Sequence, residues 1–176
     1  MTIPSDADAI RIHVLTFEEK REYFFRAAKH RDLNDLGRLI LNQGMRPDEV
    51  ARLRKADVDL NRGQLQITSG KSPAARRILD RTSESRLILA RRMPGNSKWI
   101  FPSSRNPGQH IRLNGAHDRV CAAGSKAGIV FTFVLYDFRH TVATRLAQAG
   151  IDLCHPGGNP WSQLDSSGAA LRASDS

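Results

Sequence analysis

Leu33, Leu36, Leu39 and Ile40 recur at the 3.6-residue spacing of a helix, and the chain then meets Gly44 and Pro47. That succession fixes a local plan. The apolar stripe needs a packed neighbour, so the helix belongs in a core. Gly44 can take the left-handed cap conformation without a steric penalty and ends the helix. Pro47, with its fixed φ, suits the first position of the next one, a short helix PDEVARLRK. Upstream, Thr16-Phe17-Glu18-Glu19 forms a capping box that opens a helix with Phe17, Phe24, Ala27 and Ala28 on its inner side, ending near residues 29–31.

Residues 57–60 and 64–68 alternate polar and apolar around the turn-forming Asn61-Arg62-Gly63, the pattern of a β-hairpin. A second loop, SGKSPA, leads to a third strand over 76–79. Helical stretches resume at 83–93, before Pro94-Gly95, and at 114–127 behind the capping residue Asn114. A last helix runs over 137–149, with Phe138, Val142 and Leu146 as its apolar stripe and Gly150 as its stop. The order predicts a mostly helical α+β domain with a small three-stranded antiparallel sheet. No internal repeat is present.

The 176 residues suit about one domain, and 27 Lys and Arg against 18 Asp and Glu give a net charge of +9. The excess falls in clusters: Arg52, Arg54 and Lys55; Lys71, Arg76 and Arg77; Arg86, Arg91 and Arg92. Each alone reads as a solvated surface; three together point to a polyanion-facing one. Two cysteines, Cys121 and Cys154, exclude a disulfide scaffold or a four-cysteine zinc site. The apolar runs are far too short for a membrane span, and the N-terminus shows no signal-peptide pattern. The expectation is a cytoplasmic domain that binds a polyanion, with no metal, cofactor or membrane span.

Three segments could carry chemistry. Arg46 in NQGMRPDEVARL stands at a helix start, Lys71 in TSGKSPAARR at a hairpin loop, and Arg139 in LYDFRHTVATRL in a helix behind Tyr136 and Asp137. Singly they read as a surface Arg, a turn Lys and a cap pair. Together, in this order and on these elements, GMRPDEVARLRKADVDL, GKSPAARR and YDFRHTVATRLAQAGIDL resemble the catalytic domain of the tyrosine recombinases, the phage integrase family, over residues 10–153. The resemblance implies a site-specific recombinase that breaks and rejoins DNA strands by tyrosine attack on a phosphodiester, without a metal. It makes Arg46 and Arg139 the catalytic arginines, Lys71 the hairpin lysine and Glu49 the acidic residue orienting the first arginine. Asp137 supports the second arginine, and Arg76 and Arg77 are DNA contacts. Double-stranded DNA and other recombinase protomers are the implied partners. Paired guanidiniums fit phosphate geometry and stay protonated, while a lysine beside the departing oxygen can act as general acid.

Two departures stand out. Tyr136 occupies the family's histidine position; its hydroxyl can donate to phosphate, but a phenol is a poor base at neutral pH. It is not the nucleophile, which lies further along in the family, and His140 reads as a structural residue. No tyrosine follows Tyr136. The segment 154–176 is Gly-, Pro- and Ser-rich with a net charge of −1, against +10 for residues 1–153. The expected organisation is a lead-in over 1–15, an incomplete catalytic domain over 16–153, and a frameshifted or disordered tail over 154–176. Residues 1–15 are too few for the family's core-binding domain. The sequence therefore reads as a recombinase domain trimmed at both ends and inactive alone; the alternatives are a non-catalytic DNA-binding module and an inactive pseudogene product.

Codons permitted by CHPGGNPWSQLDSS, read one base later, allow Val-Thr-Leu-Ala-Ala-Ile-Leu-Gly-His-Ser-Ser-Ile-Arg. This contains the family's Leu-Gly-His segment, and GAALRASDS permits a tyrosine-bearing continuation. A frameshift near Leu153–Cys154 is the expectation. The nucleotide sequence is expected to encode both segments in the shifted frame; stops or unrelated residues there would overturn it.

Overall fold

A computed structural model describes residues 13–68, 76–113 and 134–150. Its elements are α1 (Phe17–Ala27), α2 (Arg31–Gln43), α3 (Pro47–Ala51), β1 (Val58–Asp59), β2 (Gln64–Ile67), β3 (Arg77–Asp80), α4 (Ser83–Arg92) and α5 (Leu135–Gln148). Lys71, the helix expected over 114–127 and the segment 154–176 lie outside the described residues, as do residues 1–12.

Helix α2 is the hub, touching α1, α3, α4 and α5. Its stripe is buried as its spacing requires: Leu36, Leu39 and Ile40 are fully inaccessible and Leu33 nearly so. Gly44 ends it with φ +57°, the conformation that side-chain-bearing residues avoid. Gly37 lets α1 approach, because a Cβ there would come within 3.2 Å of the Phe24 ring.

The capping box opens α1 as expected, with Thr16 and Glu19 exchanging bonds of 2.8 and 3.1 Å. Its inner face differs from the expectation. Tyr23 and Ala27 are buried and Phe24 is half-buried, whereas Phe17 is 49% exposed and Ala28 lies on the surface. Tyr23 meets the Phe138 ring of α5 edge-on at 5.0 Å, so an aromatic contact selects the face. Thr141 of α5 accepts the Leu15 amide at 2.8 Å and donates to the Asp137 carbonyl at 2.7 Å, fastening the entry of α1 to α5.

Helix α3 is shorter than PDEVARLRK. The chain leaves it to pair with residues 98–100: Ile100 N–H donates to the Leu53 carbonyl and Lys55 N–H to the Lys98 carbonyl, both at 2.9 Å. A 3-10 turn, Lys55–Asp57, then leads into β1. The sheet has the order β1-β2-β3, antiparallel throughout, with Leu65 opposite both Val58 and Leu79 and Ile67 opposite Arg77. Val58, Leu65, Ile67 and Leu79 form its buried face. The third strand is displaced by one residue from the expected 76–79, and Ile78 faces solvent at 57% exposure.

Helix α5 begins two residues before the expected 137, because the Asp137 carboxylate caps it from inside by accepting the Val134 amide at 2.8 Å. Arg139 therefore lies just past the first turn. Phe138, Val142 and Leu146 are buried as expected.

A buried ion cluster joins α2 to α4. Asp35, 1% exposed, accepts from Arg91 and, at 2.6 Å, from Arg92 Nε, while Arg92 also reaches Asp32 at 2.8 Å. The Arg92 guanidinium lies 4.3 Å from the centroid of the Phe101 ring. Removing one member of a buried pair strands the others. Asp35→Ala is expected to lower unfolding free energy by about 3–5 kcal/mol, and Asp32→Ala, at the exposed rim, by less than about 1 kcal/mol, as read by urea denaturation.

Candidate active site

The site forms where α2 ends, α3 begins, β3 starts and α5 turns inward. After Gly44 the fully buried Met45 anchors the chain, and Arg46 is extended (φ −70°, ψ 145°) as the residue capping α3. Pro47 follows at the first helical position, as expected. Glu49, two residues further on, bends back to the start of its own helix. Its Oε2 accepts the Arg46 amide at 2.9 Å and its Oε1 accepts Arg46 Nη1 at 2.9 Å. One carboxylate thereby satisfies an orphan amide and holds the side chain of the same arginine.

Arg77 completes the arrangement from the sheet. Its Nη1 donates to Glu49 Oε1 at 3.0 Å and its Nη2 to Oε2 at 2.8 Å. The strand's alternation explains the reach: Arg77 shares the inward face with Leu79 and sits opposite Ile67. The sequence grouped Arg77 with Arg76 as a DNA contact. The structure places Arg76 on the surface and aims Arg77's fork inward at Glu49.

Arg139 enters from α5, where its Nη1 donates to the Gly44 carbonyl that α2 leaves uncovered at its end. Tyr136, 41% exposed, lies one turn earlier with its hydroxyl against Arg46, and its ring is 5.2 Å from that of His140. Asp137 is buried as the cap of α5 and so orients the helix that carries Tyr136 and Arg139.

These placements set the charges. Glu49 is 5% exposed, and burial alone would push its carboxyl upward. The bonds from Arg77 and from the Arg46 amide and guanidinium outweigh that and hold it down to about 2. Arg46 keeps its proton more firmly than an ordinary arginine, through Glu49 first and Tyr136 second. Arg139 is shifted the other way, by burial first and then by the charges of Arg46 and Arg77. Arginine nonetheless stays protonated at neutral pH. Among the described residues these three guanidiniums face the single carboxylate of Glu49 and repel one another, surroundings in which an anion would relieve the repulsion. Among the described residues no group of three or more His, Cys, Asp or Glu side chains could hold a metal, and no helix is long and apolar enough to cross a membrane.

Comparison with known proteins identifies the family. The profile of the phage integrase family matches residues 16–155. The chain belongs to the phage integrase family. It is 27% identical over 121 residues to tyrosine recombinase XerA of Thermococcus kodakarensis, covering 65% of this chain and 41% of that protein. Among solved structures, that of XerA recombinase superposes with a TM-score of 0.65 at 23% identity, over 86% of this chain and 54% of the other. That of the Tn1549 transposon integrase in complex with transposon right end DNA gives a TM-score of 0.69 at 16% identity, over 95% and 67%. The chain thus spans about two fifths of the curated relatives that it matches. The fold is that of their catalytic domains, α+β and mostly helical with a small three-stranded sheet.

The depressed Glu49 carboxyl makes a signed prediction. Its folded value lies below its unfolded one, so its stabilisation is complete above about pH 4.5 and drains away as pH falls towards about 2. It amounts to about 3 kcal/mol. In urea denaturation, wild type is expected to lose this increment between those limits, and Glu49→Gln to show a correspondingly shallower acid dependence.

Proposed function

We propose that this chain is the DNA-engaging catalytic domain of a site-specific recombinase, gripping the phosphodiester at which strands are broken and rejoined. One observation carries the reading: Arg46 and Arg139 converge from two helices, with uncompensated charge, beside a hydroxyl-bearing Tyr136. Their planar forks suit the non-bridging oxygens of a phosphate, and a developing extra charge on those oxygens is what such a pair stabilises.

In this reading Lys71, from the segment between β2 and β3, protonates the departing 5′ oxygen. Tyr136 donates a hydrogen bond to the phosphate in place of a histidine and takes no part as base or nucleophile. Glu49 and Asp137 orient the two arginines, and Arg76 meets the DNA backbone. Residues 16–153 form the domain, with 1–15 leading in and 154–176 as a tail. The chain's two tyrosines are Tyr23, fully buried, and Tyr136. Neither is the nucleophile in this reading, so these 176 residues by themselves bind DNA without cleaving it. That observation also favours the second reading, a non-catalytic DNA-binding module. Double-stranded DNA is the partner, in line with the Tn1549 integrase seen on transposon DNA; other recombinase protomers join it, and the compartment is the cytoplasm.

Fluorescence anisotropy with a labelled duplex tests this. Binding is expected to weaken steeply with salt, each phosphate contact adding about 0.9 to the logarithmic slope. Arg46→Ala and Arg139→Ala are each expected to weaken binding about tenfold, and a nicked suicide duplex is expected to give no SDS-stable adduct. Absence of binding at low salt would overturn the reading, and an adduct would overturn its non-cleaving part.

A further inference from the structure

We propose that Arg77 is the positioning residue of the arginine site: it occupies Glu49 from the sheet side and so keeps the charge of Arg46 and Arg139 available to a phosphate. This rests on the phosphate-binding reading above.

Glu49 accepts four bonds, two from Arg46 and two from Arg77. Both contacts with Arg77 are parallel and bidentate, the geometry in which a guanidinium and a carboxylate lock each other's orientation. Each carboxylate oxygen is thereby assigned. Oε2 keeps the amide of Arg46 and Oε1 keeps its Nη1, which sets the direction of the remaining guanidinium edge. Arg46 is 44% exposed at its side chain, Arg77 28% and Glu49 5%, so the exposure rises from Glu49 out to the arginine proposed to meet phosphate.

Charge points the same way. Without Arg77, the Glu49 carboxylate would be balanced by Arg46 alone, and Arg139 also lies within its field. Glu49 would then neutralise the groups that are meant to attract an anion. With Arg77 present, Glu49 is satisfied internally and the surplus remains on Arg46 and Arg139. Arg77 also repels Arg139 directly, which favours any ligand that brings negative charge between them. Arg77 thus strengthens phosphate binding without touching phosphate. Lysine cannot replace it fully, since an ammonium is a point donor and cannot hold both oxygens in a plane.

A double-mutant cycle on the full chain separates this from direct DNA contact. In the anisotropy assay, Arg77→Gln is expected to weaken duplex binding about tenfold in the wild-type background. In an Arg46→Ala background the same change should cost clearly less, about threefold, because of its two routes to the phosphate only the one through Arg139 remains. The salt slope should stay unchanged, whereas loss of a direct phosphate contact would lower it by about 0.9. Equal losses in both backgrounds with a reduced slope would overturn the proposal.

Arg77→Lys serves where Arg77→Gln fails to fold, and NMR supplies a readout that needs no DNA. In Arg77→Lys the Glu49 carboxyl carbon is expected to titrate higher than in wild type, and the Arg46 Nε resonance to move with it. An unmoved Arg46 resonance would overturn the positioning role even if DNA binding had failed. Failure of wild type to bind duplex, with the Arg46 resonance shifted as expected, would sink the phosphate reading and leave the positioning of Arg46 standing.

Discussion

Everything at the site depends on the Glu49 carboxylate. It is nearly inaccessible to water, and an isolated carboxylate there would be driven to its neutral form. It stays charged because four donor groups converge on it, from the start of its own helix and from the neighbouring strand. That one interaction joins three layers of the structure. It caps α3, fixes the side chain of Arg46 and ties β3 to the helical core.

The rest of the fold brings those parts together. Helix α2 supplies the platform: its apolar stripe packs on α1 and α5, its left-handed end at Gly44 leads the chain into Arg46, and the carbonyl of Gly44 receives Arg139. The Asp35 cluster holds α4 to the other side of the same helix. Two arginines far apart in sequence thus meet around a single helix end, and geometry rather than net charge makes the site. In the proposed reading the overall +9 would bring a polyanion near, and the arginine pair would decide where a phosphate settles.

Much of this was legible in the sequence where local chemistry is strict. The stripe of α2, the stop at Gly44, the start at Pro47, the Thr16 capping box and the hairpin turn each follow from a short-range rule, and the structure has them in those places. Less legible were features decided by partners distant in sequence. Tyr23 rather than Phe17 faces inward on α1 because the Phe138 ring, from α5, selects it. The phase of β3 was ambiguous from Arg77-Ile78-Leu79 alone, since an inward Ile78 would look equally reasonable. Leu65 and Ile67 across the ladder choose the other phase and turn Arg77 inward. The signal available was a basic residue two positions from an apolar one, together with an acidic residue at the third position of a short helix.

The central claim is that Arg46 and Arg139 form one phosphate-binding unit. The most direct measurement is the Nε–Hε NMR spectrum of the arginine side chains during titration with duplex DNA. If the two arginines act as one unit, the Arg46 and Arg139 signals shift together, at the same DNA concentration, and Glu49→Gln abolishes that concerted movement. Shifts confined to exposed arginines such as Arg52 and Arg62, with Arg46 and Arg139 unmoved, would contradict it.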